Sequence, residues 1–141
     1  KQTTIDVGVL ENCVREELDR AAPRALVVLD PLKVVIENWP AEHVEWLEVA
    51  NHPKDESFGT RRVPLTREIL VERDDFMEVP AKKFHRLAPG AEVRLRFGYV
   101  IRCSEVVKDA SGAVVELRCQ YDPATGGGQT RSKGLEVPRT K

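Results

Sequence analysis

Cysteine, histidine and aromatic side chains are scarce in these 141 residues, and each scarcity excludes something. Cys13, Cys103 and Cys119 are an odd number, lie far apart and show no C-x-x-C spacing. They fit a reducing compartment, where buried thiols behave as small hydrophobes. His43, His52 and His85 are equally scattered, with no H-x-x-x-H pair and no cysteine neighbour at zinc spacing, so no metal site is expected. No apolar run approaches the ~20 residues of a membrane span, and the opening Lys-Gln-Thr-Thr is not the basic-then-apolar start of a secretory signal. The expected location is the cytoplasm, away from any membrane. There is no G-x-S-x-G elbow, no H-E-x-x-H helix and no Walker loop. The acid pairs Asp74-Asp75 and Glu16-Glu17 read as solvated charges, so the chain alone is expected to catalyse nothing.

Hydrophobic residues make up 41% and charged residues 32%, with 22 basic against 23 acidic groups. That balance describes a globular domain rather than a disordered chain. It also excludes a uniformly basic nucleic-acid binder, although net charge says nothing of where the charges lie. Residues 82–102 carry Lys82, Lys83, Arg86, Arg94, Arg96 and Arg102 against the single acid Glu92. The first twenty residues are acidic, with Asp6, Glu11, Glu16, Glu17 and Asp19 outweighing Lys1, Arg15 and Arg20.

Val7, Leu10, Cys13, Val14 and Leu18 follow the i, i+3, i+4 stripe of an amphipathic helix over Ile5 to Leu18. Thr3 or Thr4 is its expected cap, and Pro23 lies just past its end. The remainder predicts strands at Arg24 to Leu29, Lys33 to Trp39, His43 to Val49, Arg67 to Arg73 and Lys82 to Leu87. Ala50 to Pro64 reads as a long irregular loop. Glu92 to Lys108 and Ala113 to Tyr121 flank the turn Asp109-Ala110-Ser111-Gly112 as a hairpin. Setting Lys108 opposite Ala113 puts Cys103 opposite Arg118, with Cys103 and Cys119 on opposite sides of the ribbon; a slip of one residue reverses that conclusion. No strand-helix-strand alternation is present, which excludes a doubly wound nucleotide-binding fold. The pattern predicts a mainly β domain, a small closed barrel after one leading helix.

In Val93-Arg94-Leu95-Arg96-Phe97, strand periodicity puts Arg94 and Arg96 on one face and the three apolar residues on the other. Pairing that strand with Lys82 to Leu87 would gather Lys83, His85 and Arg86 onto the same patch. Arginine's planar fork can pair bidentately with a base edge or a phosphate. Phe84, Phe97, Tyr99, Trp39 and Trp46 are available as stacking surfaces for unpaired bases, and equally as core residues.

Several strings carry a resemblance. Ala22-Pro23-Arg24-Ala25, Val28-Leu29-Asp30-Pro31-Leu32-Lys33-Val34-Val35-Ile36-Glu37-Asn38, Asn51-His52-Pro53, Gly59-Thr60-Arg61-Arg62-Val63-Pro64, Glu72-Arg73-Asp74-Asp75-Phe76-Met77-Glu78, Arg86-Leu87-Ala88-Pro89-Gly90, Glu92-Val93-Arg94-Leu95-Arg96 and Val106-Val107-Lys108-Asp109 occur in collinear order. Together they resemble the C-terminal anticodon-binding region of glutaminyl-tRNA synthetases, from about Leu10 to Pro123. The resemblance implies a six-stranded closed barrel of the ribosomal L25-like type over residues 23–123, a connecting helix over 1–22, and a flexible or truncated tail over 124–141. It implies that Arg24 contacts the middle anticodon base, Arg86 the third, and Arg94 and Arg96 the first. Lys83 falls where better-known members carry a glutamine touching the middle base, and His85 where they carry a lysine. It implies glutamine tRNA and the synthetase's own catalytic domain as partners, no DNA, a monomeric state, and ATP with magnesium in the full-length ligase but no cofactor in this chain. The missing nucleotide-binding signatures imply an excised or naturally shortened module. A free-standing RNA-binding module of the same barrel type and a non-catalytic interaction domain remain open as alternatives.

Overall fold

A computed structural model describes residues 6–128. The helical stripe forms α1 (Val7–Ala21). Asp6 caps it, its Oδ1 accepting from the Gly8 N–H at 2.8 Å. Thr3 and Thr4, the expected caps, lie outside the described residues. The helix stops where Ala22 turns extended just before Pro23. None of its residues is buried, so Val7, Leu10, Val14 and Leu18 show their stripe to solvent.

The chain divides into two compact units. The first joins the described residues through Leu26 with Val49–Arg61; the second joins Val27–Glu48 with the described residues from Arg62 onward. In the first unit the segment after the helix does not become the predicted strand over Arg24 to Leu29. The Arg24 N–H donates to the Asn51 carbonyl at 2.6 Å, while the Asn51 amide donates to the Phe58 carbonyl at 3.0 Å and its N–H to Gly59 at 3.0 Å. One asparagine thereby closes the 51–59 loop on itself, with a 3₁₀ turn at Glu56–Phe58 inside it.

In the second unit, β1 (Pro31–Ile36), β4 (Glu68–Glu72), β5 (Glu92–Arg94), β6 (Val100–Lys108) and β7 (Val114–Asp122) form one sheet in the order β4-β1-β7-β6-β5. β1 runs parallel to β7, and the other neighbours are antiparallel. β4 and β5 are its two edges, so the sheet is an open half-barrel of five strands and not the expected closed barrel of six. Two predicted strands are missing from it: Arg24 to Leu29, and Lys82 to Leu87, of which only the single bridge of Leu87 to Phe76 exists. β2 (Glu45–Ala50) pairs instead with β3 (Thr60–Leu65) in a separate two-stranded sheet. β3 occupies part of the predicted irregular loop. Its two arginines and a proline hid a strand from reading by propensity, and Pro64 is tolerated because it faces solvent on a short ribbon.

Alternation along β1 sends Leu32, Val34 and Ile36 fully inward, against Leu117 and Cys119 of β7, Ile101 and Cys103 of β6, and Val93 of β5. Burying each such aliphatic side chain contributes about 1.5–3 kcal/mol. The β6–β7 register shifts at Ser104, so Cys103 stands opposite Cys119 and Glu105 opposite Arg118. A second shift between Val107 and Lys108 offsets that one, and Lys108 stands opposite Val114 instead of the expected Ala113, so a one-residue difference in register at the turn reverses the predicted arrangement: both cysteines are buried on the core side, as free thiols. Their mutual hydrogen bond, together with burial, pushes the Cys119 thiol up and leaves it protonated.

Candidate nucleic-acid interface

The cations predicted for the site fall into three local settings. Arg24 belongs to the first unit. Its guanidinium pairs with the Asp19 carboxylate and donates to the backbone carbonyls of Leu18 at 3.1 Å and Asp19 at 3.3 Å, so it caps the C-terminal end of α1. Lys54 Nζ meets the other Asp19 oxygen at 2.5 Å, and His52 Nε2 donates to the Asp19 carbonyl at 2.6 Å. That tautomer follows from the Lys54 N–H donating to His52 Nδ1. The hydrogen bond and charge of Lys54, then Arg24, hold the Asp19 carboxyl below its usual 3.8.

Arg86 follows a turn rather than lying on a strand. The Leu87 N–H donates to the Asp75 carbonyl at 2.9 Å and the Met77 N–H to the Leu87 carbonyl at 3.0 Å, laying this segment beside the 3₁₀ turn Arg73–Asp75. That places Arg86 Nη1 2.7 Å from the carboxylate of Asp75, which is 5% exposed. Asp75, expected as a solvated charge, is instead a buried anchor. A few residues upstream, Lys83 has φ +78 in a tight turn closed by the Phe84 N–H on the Ala81 carbonyl, and Lys82, Lys83 and His85 are exposed. Among the described residues these three have no ion-pair partner.

The third setting overturns the shared face predicted for Arg94 and Arg96. β5 ends at Arg94, and Leu95 to Gly98 form a β-turn, the Gly98 N–H donating to the Leu95 carbonyl at 3.0 Å. Strand periodicity stops there, and so does its prediction. Arg94 is 8% exposed; its Nη1 donates to the Gly98 carbonyl at 3.1 Å and to the Thr125 carbonyl at 2.9 Å. Thr125 belongs to the 3₁₀ segment Pro123–Gly128, where the sequence predicts the start of a flexible tail. Its hydroxyl donates to the Asp122 carbonyl and accepts the Val100 N–H at 2.9 Å. Gly126 follows because a Cβ there would lie 2.8 Å from the Tyr99 ring. The rest of the predicted tail, from residue 129, lies outside the described residues.

Arg96 is exposed, and its guanidinium carbon sits 5.1 Å from the Phe97 ring centre. Phe97 has φ +67, a left-handed conformation that costs a phenylalanine about 1–3 kcal/mol. Of the other aromatic candidates, Trp39 is buried against Tyr99 and Tyr121, its indole N–H donating to the His43 carbonyl. Tyr99 donates to Glu45 at 2.8 Å; burial and that carboxylate push its phenol up to about 12. Trp46 remains half exposed, under Arg62 at 5.0 Å. The antiparallel pairing expected to gather the cations on one ribbon does not form. Arg94 and Arg96 share a turn, Lys83 and Arg86 a neighbouring segment, and Arg24 a different unit.

No three His, Cys, Asp or Glu side chains among the described residues are placed to hold a metal ion. Lys83 and Arg96 are donors without matching acids among the described residues, Arg96 beside an exposed ring. No helix among the described residues is long and apolar enough to cross a membrane.

Arginines held by Asp75 and by the Gly98 and Thr125 carbonyls, with exposed Lys83 and Arg96 near them in sequence, are equipment suited to a polyanion. The chain belongs to the anticodon-binding domain family of class I tRNA synthetases (E and Q), whose model matches residues 22–122. It is similar to the glutamine–tRNA ligase of Bradyrhizobium diazoefficiens, 60% identical over 126 residues, which cover 89% of this chain and 23% of that protein. The glutamine–tRNA ligase of Clostridium perfringens is 52% identical over 138 residues, 98% of this chain and 25% of the relative. The ligase of Xanthomonas campestris is 53% identical over 132 residues. The chain thus spans about a quarter of the length of these relatives.

Proposed function

We propose that this chain reads the anticodon of glutamine tRNA for a glutamine–tRNA ligase, with Arg24, Lys83, Arg86, Arg94 and Arg96 as its site residues. The observation that carries this is the family match over residues 22–122 joined to ligase relatives at 52–60% identity. In this reading Arg24 serves the middle base, Arg86 the third, and Arg94 and Arg96 the first. The open sheet is one part of an L25-like barrel, and ATP and magnesium act in the whole ligase, outside these residues.

Geometry supports different contributions. Arg86 offers the edge of a guanidinium whose direction Asp75 fixes, so little conformational freedom is lost on pairing with a base. Lys83 and Arg96 are exposed donors with no acid to displace among the described residues. Arg94 is enclosed by two carbonyls and acts on the first base chiefly by holding the turn that carries Arg96.

Replacing Arg86 by Ala tests the reading. A good bidentate base contact discriminates by about 1–3 kcal/mol, so Arg86→Ala should weaken binding of a glutamine anticodon stem-loop by that amount and relax choice at one base. Titration against stem-loops changed at each anticodon position measures this. Equal weakening for every anticodon would leave Arg86 a phosphate contact and defeat the base-reading role.

A further inference from the structure

Two aromatic rings in the second unit face solvent under an arginine, Trp46 with Arg62 and Phe97 with Arg96. Phe97 differs in its backbone. It is the left-handed residue at the third position of its turn, where glycine is favoured, yet the glycine of this turn stands one residue later, at 98. The phenylalanine does not serve the core, because it is 43% exposed while Leu95 and Gly98 of the same turn pack inward. Nor does it serve the turn, which glycine would form with less strain. It does present a flat apolar ring at the tip of a turn, next to a guanidinium with no carboxylate or carbonyl partner among the described residues.

The tip is also held still. The Leu95 N–H donates to the Tyr99 carbonyl at 2.9 Å, the Gly98 N–H to Leu95, and the Gly98 carbonyl receives buried Arg94. A rigid ring on a protruding turn suits one ligand chemistry above others, the face of an unpaired nucleobase, since every base has a π-face and single-stranded RNA splays its bases onto such surfaces.

We propose that Phe97 is the stacking platform for one unpaired base of the anticodon loop, presented beside the guanidinium of Arg96. This rests on the anticodon-binding reading and adds to it a contact that is neutral to base identity. Strain at Phe97 is retained because the ring must stand outside the sheet to be reached.

The test uses the 141-residue chain, its Phe97→Gly and Phe97→Trp variants, and stem-loops carrying an abasic nucleotide at each loop position in turn. Phe97→Gly should melt at the same or a higher temperature than the parent yet bind the intact stem-loop about tenfold more weakly. Phe97→Trp should retain parental affinity. One abasic position should cost the parent about the same factor and cost Phe97→Gly nothing, which identifies the stacked nucleotide. Unchanged RNA affinity in Phe97→Gly, or equal losses in parent and variant at every abasic position, would overturn the stacking role and leave the anticodon reading standing. A parent chain with no saturable stem-loop binding would instead overturn the reading on which the proposal rests.

Discussion

At the scale of single residues, the informative contacts are those that keep a cation from wandering. Thr125 is the smallest of them and the most exposed to test. Its hydroxyl satisfies the Val100 N–H, and its carbonyl satisfies Arg94. Thr125→Val keeps the volume but leaves a buried backbone donor unpaired, which costs about 1–3 kcal/mol. Urea denaturation should show that loss in full, and a change under about 0.5 kcal/mol would mean the hydroxyl is not what closes the segment. Residue identity made most of the candidate site legible, since arginines stand out in any sequence. Their partners did not stand out. Asp75 looks like every other solvated acid until the Leu87 bridge brings Arg86 to it, and Thr125 sits beside a glycine run that reads as slack chain.

At the scale of elements, α1 and the strands β1, β4, β6 and β7 were legible because each holds its own period over five or more residues. β5 was legible only in its first three residues, since nothing in alternation announces that a left-handed Phe97 will end it. The pairing of Cys103 with Cys119 failed for a similar reason. The hairpin sets Lys108 opposite Val114 instead of Ala113, its two irregularities offset each other, and no local pattern marks that one-residue difference. In the first unit, the end of α1 is tied to the 51–59 loop through Asp19, which meets Arg24, Lys54 and His52. The carboxyl is held below 3.8 in the folded chain and returns to about that value when unfolded. Its contribution to stability is therefore complete above the unfolded value and is lost as the pH falls through the folded one. Asp19→Asn should be less stable than the parent at pH 7, and the two stabilities should converge as the pH drops below 3.8. Thermal midpoints from pH 7 to pH 2 provide the comparison; a gap that persists at the acid end would show that Asp19 acts by shape and not by charge.

At the scale of the whole molecule, a formal charge of −1 coexists with a strongly cationic stretch over residues 82–102. Among the described residues, Arg24, Arg86 and Arg94 hold an internal hydrogen bond or ion pair, and Lys82, Lys83 and Arg96 do not. A chain so balanced should bind RNA through a few contacts and not through bulk attraction, which predicts a shallow salt dependence, each neutralised phosphate adding roughly 0.7 to the slope for single-stranded RNA. Barrel closure was the whole-molecule feature that periodicity overstated, because counting strands does not say which edges meet. The collinear motifs were informative about family, but the closed barrel of six strands that they implied is an open sheet of five. The central claim is that guanidinium groups on this chain choose bases, and its most direct measurement is the affinity of the 141-residue chain for a glutamine anticodon stem-loop against three loops, each changed at one anticodon position. The account predicts a loss of about tenfold or more at each position, corresponding to about 1–3 kcal/mol per misread base, and the same slope against salt for all four RNAs. Equal affinity for all four loops would contradict it.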